Sequence, residues 1–438
     1  MLSGSAERKR IRSLGEHLTP SSVFTKYILP KIEGRIYEHT WIDLFAGEGN
    51  LILPILDRIP VADRAEFFSR HIYLFDIQEK MVKKCIENAV YYGIPEKLAE
   101  SNINVQDTLD EFPHFLKNKI NSVFHITNPP YLYIGYIAKH NGTDGKMKYF
   151  SGENRGFQDL YQIALMNDLR NNINQMIYII PSNFIFGHSV SNKIRRAFLS
   201  SYDIKDAVIF ENRIFEKTGT NVAAFFFERS GQEKQAIKFT ALKINSSIQK
   251  KAYVLKKYND YRAGSYFDEY VQKNRKKLLN IHFYLKKEEI DQNIGEIEVT
   301  LLDSKEYNGE KYAKSKFSIN ENLYSKIKSN PIFLRTVDTG SENGKAGLYS
   351  IPDFFDTDGI YVDGNTYRTN PIQVFIEPRL SEKQLSMVTQ RFNSTLNLLR
   401  EETDSEFMTT YKYTNNGKYT RKYLGLTQAR AIMETLAP

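Results

Sequence analysis

Cysteine is almost missing from this 438-residue sequence, with Cys85 its single instance. An intramolecular disulfide is therefore excluded, a thiolate zinc cluster lacks ligands, and no metal site is expected. Cys85 falls in a helical pattern and reads as a small core residue. Long apolar runs are missing too: no stretch of 18 apolar residues occurs, and Met1 to Ser13 has no apolar segment of the kind that opens a secretion signal. The chain is expected to be soluble and cytoplasmic, with no membrane partner. There is no internal repeat and no low-complexity tract, while a hydrophobic content of 41% is ample for a buried core. The net charge of +8 is spread unevenly. Residues 231–438 hold 32 Lys and Arg against 26 Asp and Glu, and residues 1–230 hold 28 against 26. A basic second half suits a polyanion partner, although an excess of that size over that length is also an ordinary solvated surface.

The length suggests two domains. Residues 1–13 form a basic arm with Arg8, Lys9, Arg10 and Arg12, and Thr19-Pro20-Ser21-Ser22 opens a helix. Short apolar runs at 41–46, 72–76, 103–106, 123–127, 175–180, 206–210 and 222–227 predict strands. Helical patterns at 50–58, 79–92, 157–171 and 190–201 lie between them. Such alternation predicts a largely parallel sheet covered on both faces. The last two strands are joined by Glu211 to Asn221, too short for a helical crossover, which predicts an antiparallel hairpin at the sheet's end. Beyond about residue 240 the texture changes to Lys-rich and then Gly/Asp/Asn-punctuated stretches, closing with helical patterns at 381–401 and 424–436. The domains are thus expected at 14–240 and 241–438.

The strongest chemical signal is Asn128-Pro129-Pro130-Tyr131, directly after a predicted strand. An amino group on an aromatic ring is a poor nucleophile because its lone pair is delocalised. Two oxygen acceptors aimed at its N–H bonds turn the nitrogen towards tetrahedral geometry and stabilise the positive charge it gains. The Asn128 side-chain oxygen and the Pro129 carbonyl can be those acceptors, with both prolines stiffening the backbone. Tyr131 can stack on the base. In isolation, two adjacent prolines would be only a turn.

A second signal is Asp43-Leu44-Phe45-Ala46-Gly47-Glu48-Gly49-Asn50, a strand running into a helix. Gly47 and Gly49 allow close backbone approach to a ligand, but Ile52 stands where a dinucleotide fingerprint has its third glycine. Asp43, an acid in an apolar strand, suits a ligand's ammonium group; the plainer reading is a buried carboxylate capping the helix. Asp76, ending the second strand, can hold a ribose diol. Asp107, after the third, can accept from an adenine amino group or cap a helix.

In this order the motifs resemble the gamma-class amino-methyltransferases of bacterial DNA found in restriction–modification systems, over roughly residues 14–230. Gly15-Glu16-His17-Leu18-Thr19-Pro20 resembles the leading cofactor motif, in which Thr19 would meet the methionine end. Asp43, Phe45, Ala46, Gly47 and Gly49 resemble the main cofactor loop, Asp76 with Ile77 the ribose site, and Asp107 the adenine site. Asn128 to Tyr131 resembles the catalytic tetrapeptide, with Asn128 also facing the cofactor. Gln158-Asp159-Leu160-Tyr161 resembles the helix after it, Met176 to Phe184 the next strand, and Phe215 the second aromatic packed on the base. The resemblance implies an α/β fold: a seven-stranded Rossmann-like methyltransferase sheet with a reversed last strand, followed by a C-terminal α+β target-recognition domain. It implies S-adenosyl-L-methionine as cofactor, double-stranded DNA as partner, a separate cognate restriction endonuclease, and methylation of adenine N6.

Because an amino group inside a duplex is out of reach, the target base would be flipped out, with Tyr131 and Phe215 stacked on it. The segment Leu132–Arg155, with Lys139, His140, Lys146 and Lys148, can order over that base or be a solvated loop. His17 and His140 read as structural or surface histidines, since the chemistry needs no general base. Tyr411-Lys412-Tyr413 and Lys418 to Tyr423 interleave basic and aromatic residues, which suits phosphate contact or an edge strand. Cytosine N4 in DNA and a protein glutamine amide pose the same chemical problem, and both stand as alternatives. A DNA-binding specificity subunit with an inactive fold is disfavoured by the intact tetrapeptide and glycine loop.

Overall fold

The computed structural model describes residues 18–139, 144–187, 189–211, 214–215, 221–245, 247–338, 344–366, 369–403, 405–413 and 420–437. The basic arm, His17 and His140 lie outside them, as does most of the Tyr411–Tyr423 stretch at side-chain level. Two compact units are present, one running to Ala263 and one over Gly264–Pro438.

The first unit is a mixed α/β structure around one large, mostly parallel sheet. Its strands are β1 (Thr40–Asp43), β2 (Ile72–Asp76), β3 (Ile103–Val105), β4 (Val123–Thr127), β5 (Gln175–Pro181), β6 (Tyr202–Phe210), β7 (Val222–Arg229), β8 (Ala236–Ile244) and β9 (Ile248–Lys256). Their order is β3-β2-β1-β4-β5-β7-β6-β8-β9. The central strands read as continuous apolar runs because both faces are covered: all of β1 and β4 is buried, as is β5 apart from Gln175. β7 runs antiparallel to both β5 and β6, so the hairpin places its second strand inside the sheet.

The sheet has nine strands where seven were expected. The two additional ones alternate instead of running apolar: Ile237, Phe239 and Ala241 are buried, while Lys238 and Thr240 are exposed. That pattern belongs to a half-buried strand near an edge, and its lysines give it the same texture as the basic stretch that follows. As β8 joins β6 in parallel and β9 pairs with β8, the first unit extends past residue 240 to Ala263.

Short helices make the crossovers. Arg64–His71 precedes β2 and Glu96–Asn102 precedes β3, and neither was read from the sequence. The helix Glu79–Tyr91 buries Met81, Val82, Cys85 and Ala89 on one stripe, so Cys85 is a core residue. The predicted helix at 50–58 is a 3₁₀ segment, Leu53–Arg58, in which Pro54 has no N–H to donate.

The second unit mixes small sheets with helices. The longest helix, Glu382–Thr403, buries Leu385, Val388, Phe392, Leu396 and Leu399 at helical spacing against strands that include Ile332–Arg335 and Ile372–Glu377. No helix among the described residues is long and apolar enough to cross a membrane.

Candidate cofactor cleft and active site

Parallel strands carry their loops to one edge, and ligands of such sheets bind outside the carboxyl ends. Here the ends of β1, β2, β3 and β4 frame one cleft. The loop after β1 is fastened to the end of β2: Ala46 N donates to Phe75 O at 2.7 Å and Gly47 N to Asp76 Oδ2 at 2.9 Å. Gly47 and Gly49 take φ of +53° and +82°, in the left-handed region. A Cβ at Gly49 would lie 2.6 Å from Leu53 Cδ1 and 2.8 Å from Cys85 Sγ, so the loop can pack on the helix beneath only as glycine.

Asp43 sits beneath this loop, 1% exposed, and does not line the cleft. Its Oδ1 accepts from Phe45 N at 2.9 Å and from the Thr127 hydroxyl at 2.6 Å. Burial pushes its carboxyl up to about 6, against the pull of His125 and these two hydrogen bonds. His125 stands beside it in β4: Nε2 accepts from Leu44 N at 3.2 Å, and Nδ1 donates to Asp168 Oδ2 at 2.6 Å. The Tyr178 hydroxyl donates to the same Asp168 oxygen at 2.6 Å. The sequence reading missed this buried network, although a His and an Asp inside apolar runs were the available signal.

The cleft is lined by Leu18, Leu44, Phe45, Gly47, Asp76, Ile77, Gln78, Met81, Gln106, Asp107, Thr108, Leu109, Asn128, Pro130, Lys146, Tyr149 and Leu160. Six of the predicted cofactor residues therefore meet there: Phe45, Gly47, Asp76, Ile77, Asp107 and Asn128. Thr19, Asp43, Ala46 and Gly49 stand behind its wall. Asp76 Oδ1 accepts from Gln78 N at 2.8 Å, which fixes the carboxylate at the strand's end. Ile77 next to it is 57% exposed, an apolar face turned to the outside.

The segment after the tetrapeptide lines the cleft instead of standing apart as a surface loop. A 3₁₀ turn, Asp144–Phe150, brings Tyr149 and Lys146 to it. The Tyr149 hydroxyl donates to Asp107 Oδ2 at 2.5 Å, and Lys148 Nζ lies 2.8 Å from Asp110 Oδ2 and 3.4 Å from Asp107 Oδ2. Burial lowers the Lys146 ammonium from its usual range, opposed by Asp107. Tyr149 and Lys146 were not singled out for the cofactor site, because nothing local to residues 144–150 announces which strand end they reach.

At the other end of the cleft Asn128 is held from both sides. Its Nδ2 donates to Thr19 Oγ1 at 2.9 Å, and its Oδ1 accepts from the Tyr131 hydroxyl. That hydroxyl also lies 2.5 Å from Ile179 O, so its one proton is shared between two acceptors. Pro130 lines the cleft and Pro129 is buried behind it. Tyr131 is 9% exposed, with its ring edge-on to Tyr161 at 6.5 Å; Phe215 is 4% exposed and packs in the core. Neither ring is brought to the cleft wall. Leu132 N donates to Asp159 Oδ1 at 2.9 Å, tying the tetrapeptide's exit to the start of the helix Leu160–Arg170.

A modification subunit, described as that of a type I restriction enzyme from Vibrio vulnificus YJ016, is similar in structure. The identity is 16%, with 79% of this chain and 61% of that chain covered and a TM-score of 0.41. The type IIG restriction endonuclease BpuSI is similar at 13% identity, with 96% of this chain and 61% of that chain covered and a TM-score of 0.44. DrdV, solved in complex with DNA, is similar at 14% identity over 69% of this chain and 36% of that one, with a TM-score of 0.44. The chain thus spans 61% or less of the length of each of these proteins. No curated protein matches it. The family model for N-6 DNA methylases matches residues 1–315, most of the chain and all of the first unit, and the protein belongs to that family.

Proposed function

We propose that this protein transfers a methyl group from S-adenosyl-L-methionine to N6 of an adenine flipped out of double-stranded DNA. It would be the modification enzyme of a restriction–modification system, with a separate cognate nuclease. The observation that carries the reading is that Asn128 lines the same cleft as Asp76 and Asp107. An oxygen acceptor for an amino group thus shares one cavity with two carboxylates suited to a nucleoside. The family implies the methyl donor, and the cleft fits it. Asp76 would take the ribose hydroxyls, its carboxylate held at the strand's end by Gly47 N and Gln78 N. The exposed Ile77 offers an apolar face for a purine, and Asp107 would accept from its amino group. The order Thr19, Gly47–Gly49, Asp76, Asp107, Asn128 along the chain supports the gamma class.

The bound cofactor supplies an electrophilic methyl carbon; the chain's part is to prepare the nitrogen. Asn128 cannot swing, because Thr19 and Tyr131 hold its two ends, and its side-chain oxygen would be the first acceptor for a substrate N–H. Pro129 fixes its own carbonyl as the second acceptor. Stacking by Tyr131 and Phe215 would require those rings to uncover, and the acceptor chemistry does not depend on it. Residues 264–438, with a core of their own, are the candidate for target recognition.

The test is incubation with tritiated cofactor and duplex DNA, followed by digestion to nucleosides. Counts in N6-methyladenosine support the reading. Counts in N4-methylcytosine would move the substrate to cytosine, and transfer to a protein amide with none to DNA would overturn it.

A further inference from the structure

We infer that Tyr149 sets the selectivity of the cleft for a 6-aminopurine over a 6-oxopurine, by holding Asp107 as a fixed hydrogen-bond acceptor. This role rests on the proposed binding of S-adenosyl-L-methionine, and it makes the nucleoside end of that site specific.

The backbone of Asp107 is fixed by its neighbours. Gln106 N donates to Asp76 O at 3.0 Å, and the Thr108 hydroxyl donates to Leu44 O at 2.6 Å. The residues on either side are therefore fastened to the end of β2 and to the loop after β1. The carboxylate does not cap a helix: among the described residues no backbone N–H donates to it, and Oδ1 has no hydrogen-bond partner. Oδ2 alone is engaged, by the Tyr149 hydroxyl at 2.5 Å and Lys148 Nζ at 3.4 Å. Tyr149 is itself anchored. Phe150 beside it is 6% exposed and belongs to the core of the first unit. The Tyr149 carbonyl accepts from Asn154 Nδ2 at 2.9 Å, and Asn154 Oδ1 accepts from Arg170, at the end of the helix Leu160–Arg170, at 2.7 Å. Burial, and then Asp107, push the Tyr149 hydroxyl above the usual phenol range, so it keeps the proton that it donates.

A held acceptor discriminates where a loose one does not. A carboxylate offers only acceptors, so a 6-amino group donates to it while a 6-oxo group sets lone pairs against lone pairs. A site built to hydrogen-bond one group rejects the analogue that lacks it, because its own polar atom is then left unpaired. That penalty persists only if the carboxylate stays in place. An aspartate free about its side-chain torsions would turn away from a 6-oxo group towards water. With Oδ2 bound to Tyr149, turning breaks a charge-assisted hydrogen bond. Tyr149 thus acts through Asp107, as a positioning residue.

The test is titration calorimetry of the full chain with S-adenosylhomocysteine and with its 6-oxo analogue, S-inosylhomocysteine, in wild type, Y149F and D107N. Wild type should favour the amino ligand by on the order of 10²-fold. Y149F should bind the amino ligand about tenfold more weakly and the 6-oxo ligand as before, so the preference falls about tenfold. Its unchanged binding of the 6-oxo ligand also shows that the variant is folded. D107N, whose amide can present either an oxygen or an NH₂, should lose most of the preference. Equal weakening of both ligands in Y149F overturns the role of Tyr149, and so does tighter binding of the amino ligand, since the phenol would then be competing for Asp107. A wild-type chain that binds neither ligand overturns this role and the proposed function together. If Y149F selects as wild type does in a chain that methylates adenine in duplex DNA, the role fails and the proposed function stands. The expected preferences in a chain that methylates no DNA would defeat that function and leave Tyr149 in its role.

Discussion

Replacing Asp43 by Asn should raise stability relative to wild type progressively as the pH climbs from 4 to 8. The buried carboxyl is pushed up to about 6 from its ordinary value of 3.8, chiefly by loss of solvent. A raised acid pKa means that the folded state holds its proton when the unfolded chain has already released it. Stability therefore falls as pH climbs from the unfolded value through the folded one. About two pKa units at 1.36 kcal/mol each give a cost of about 3 kcal/mol, fully present above pH 6 and gone below pH 4. An asparagine keeps the oxygen that accepts from Phe45 N and the Thr127 hydroxyl. Its new NH₂ adds an offset of about 1–3 kcal/mol if no acceptor is near, but that offset does not titrate. The informative quantity is thus the difference in stability between D43N and wild type at pH 8 minus that at pH 4, expected to be about 3 kcal/mol in favour of D43N. Trp41 is the only tryptophan, fully buried in β1 two residues from the substitution, so its fluorescence during urea unfolding reports this part of the sheet. A stability difference that stays flat across that range would refute the account of Asp43.

Further outcomes are expected at three other positions. Gly49→Ala puts a methyl 2.6 Å from Leu53 Cδ1 at a left-handed backbone position, so it should cost roughly 2–4 kcal/mol and abolish cofactor binding, read by thermal unfolding and calorimetry. Tyr149→Phe removes the donor to Asp107 and should speed cofactor release by about tenfold, the worth of a hydrogen bond to a charged acceptor, measurable by stopped-flow. Asn128→Ala should lower methyl transfer by on the order of 10²–10³-fold while cofactor affinity stays within a few-fold; near-normal turnover would remove the catalytic assignment.

What could be read from the sequence was what is local. Gly47, Gly49, Asp76, Asp107 and Asn128 each end or follow an apolar run, and a parallel sheet gathers such ends at one edge whatever joins them. β2 and β4 were placed at their observed limits because a strand covered on both faces leaves an unbroken apolar signature. The hidden parts depend on distant partners. β8 and β9 alternate and are lysine-rich, so nothing in 236–256 distinguishes an added sheet edge from the start of a second domain. The cleft's outer wall depends on Tyr149 meeting Asp107 across 42 residues. Tyr131 and Phe215, read as open rings, are covered, because the same apolar surface that could stack on a base also packs well in a core.

Asp43, expected to face a ligand's ammonium group, lies beneath the cleft, and its hydrogen bonds account for a costly buried carboxylate there. One oxygen, Oδ1, takes a hydrogen bond from Phe45 N in the cofactor loop and another from the hydroxyl of Thr127, the residue immediately before Asn128. The neighbouring His125 ties Leu44 N of the same loop to Asp168 in the helix Leu160–Arg170 that follows the tetrapeptide. The glycine loop and the Asn128 corner are therefore positioned by shared atoms beneath the cleft and not independently. The proposed transfer would be served by this arrangement, since donor and acceptor must be aligned to a fraction of an ångström. A carboxylate that fixes the spacing between the two loops would serve that alignment without touching a ligand.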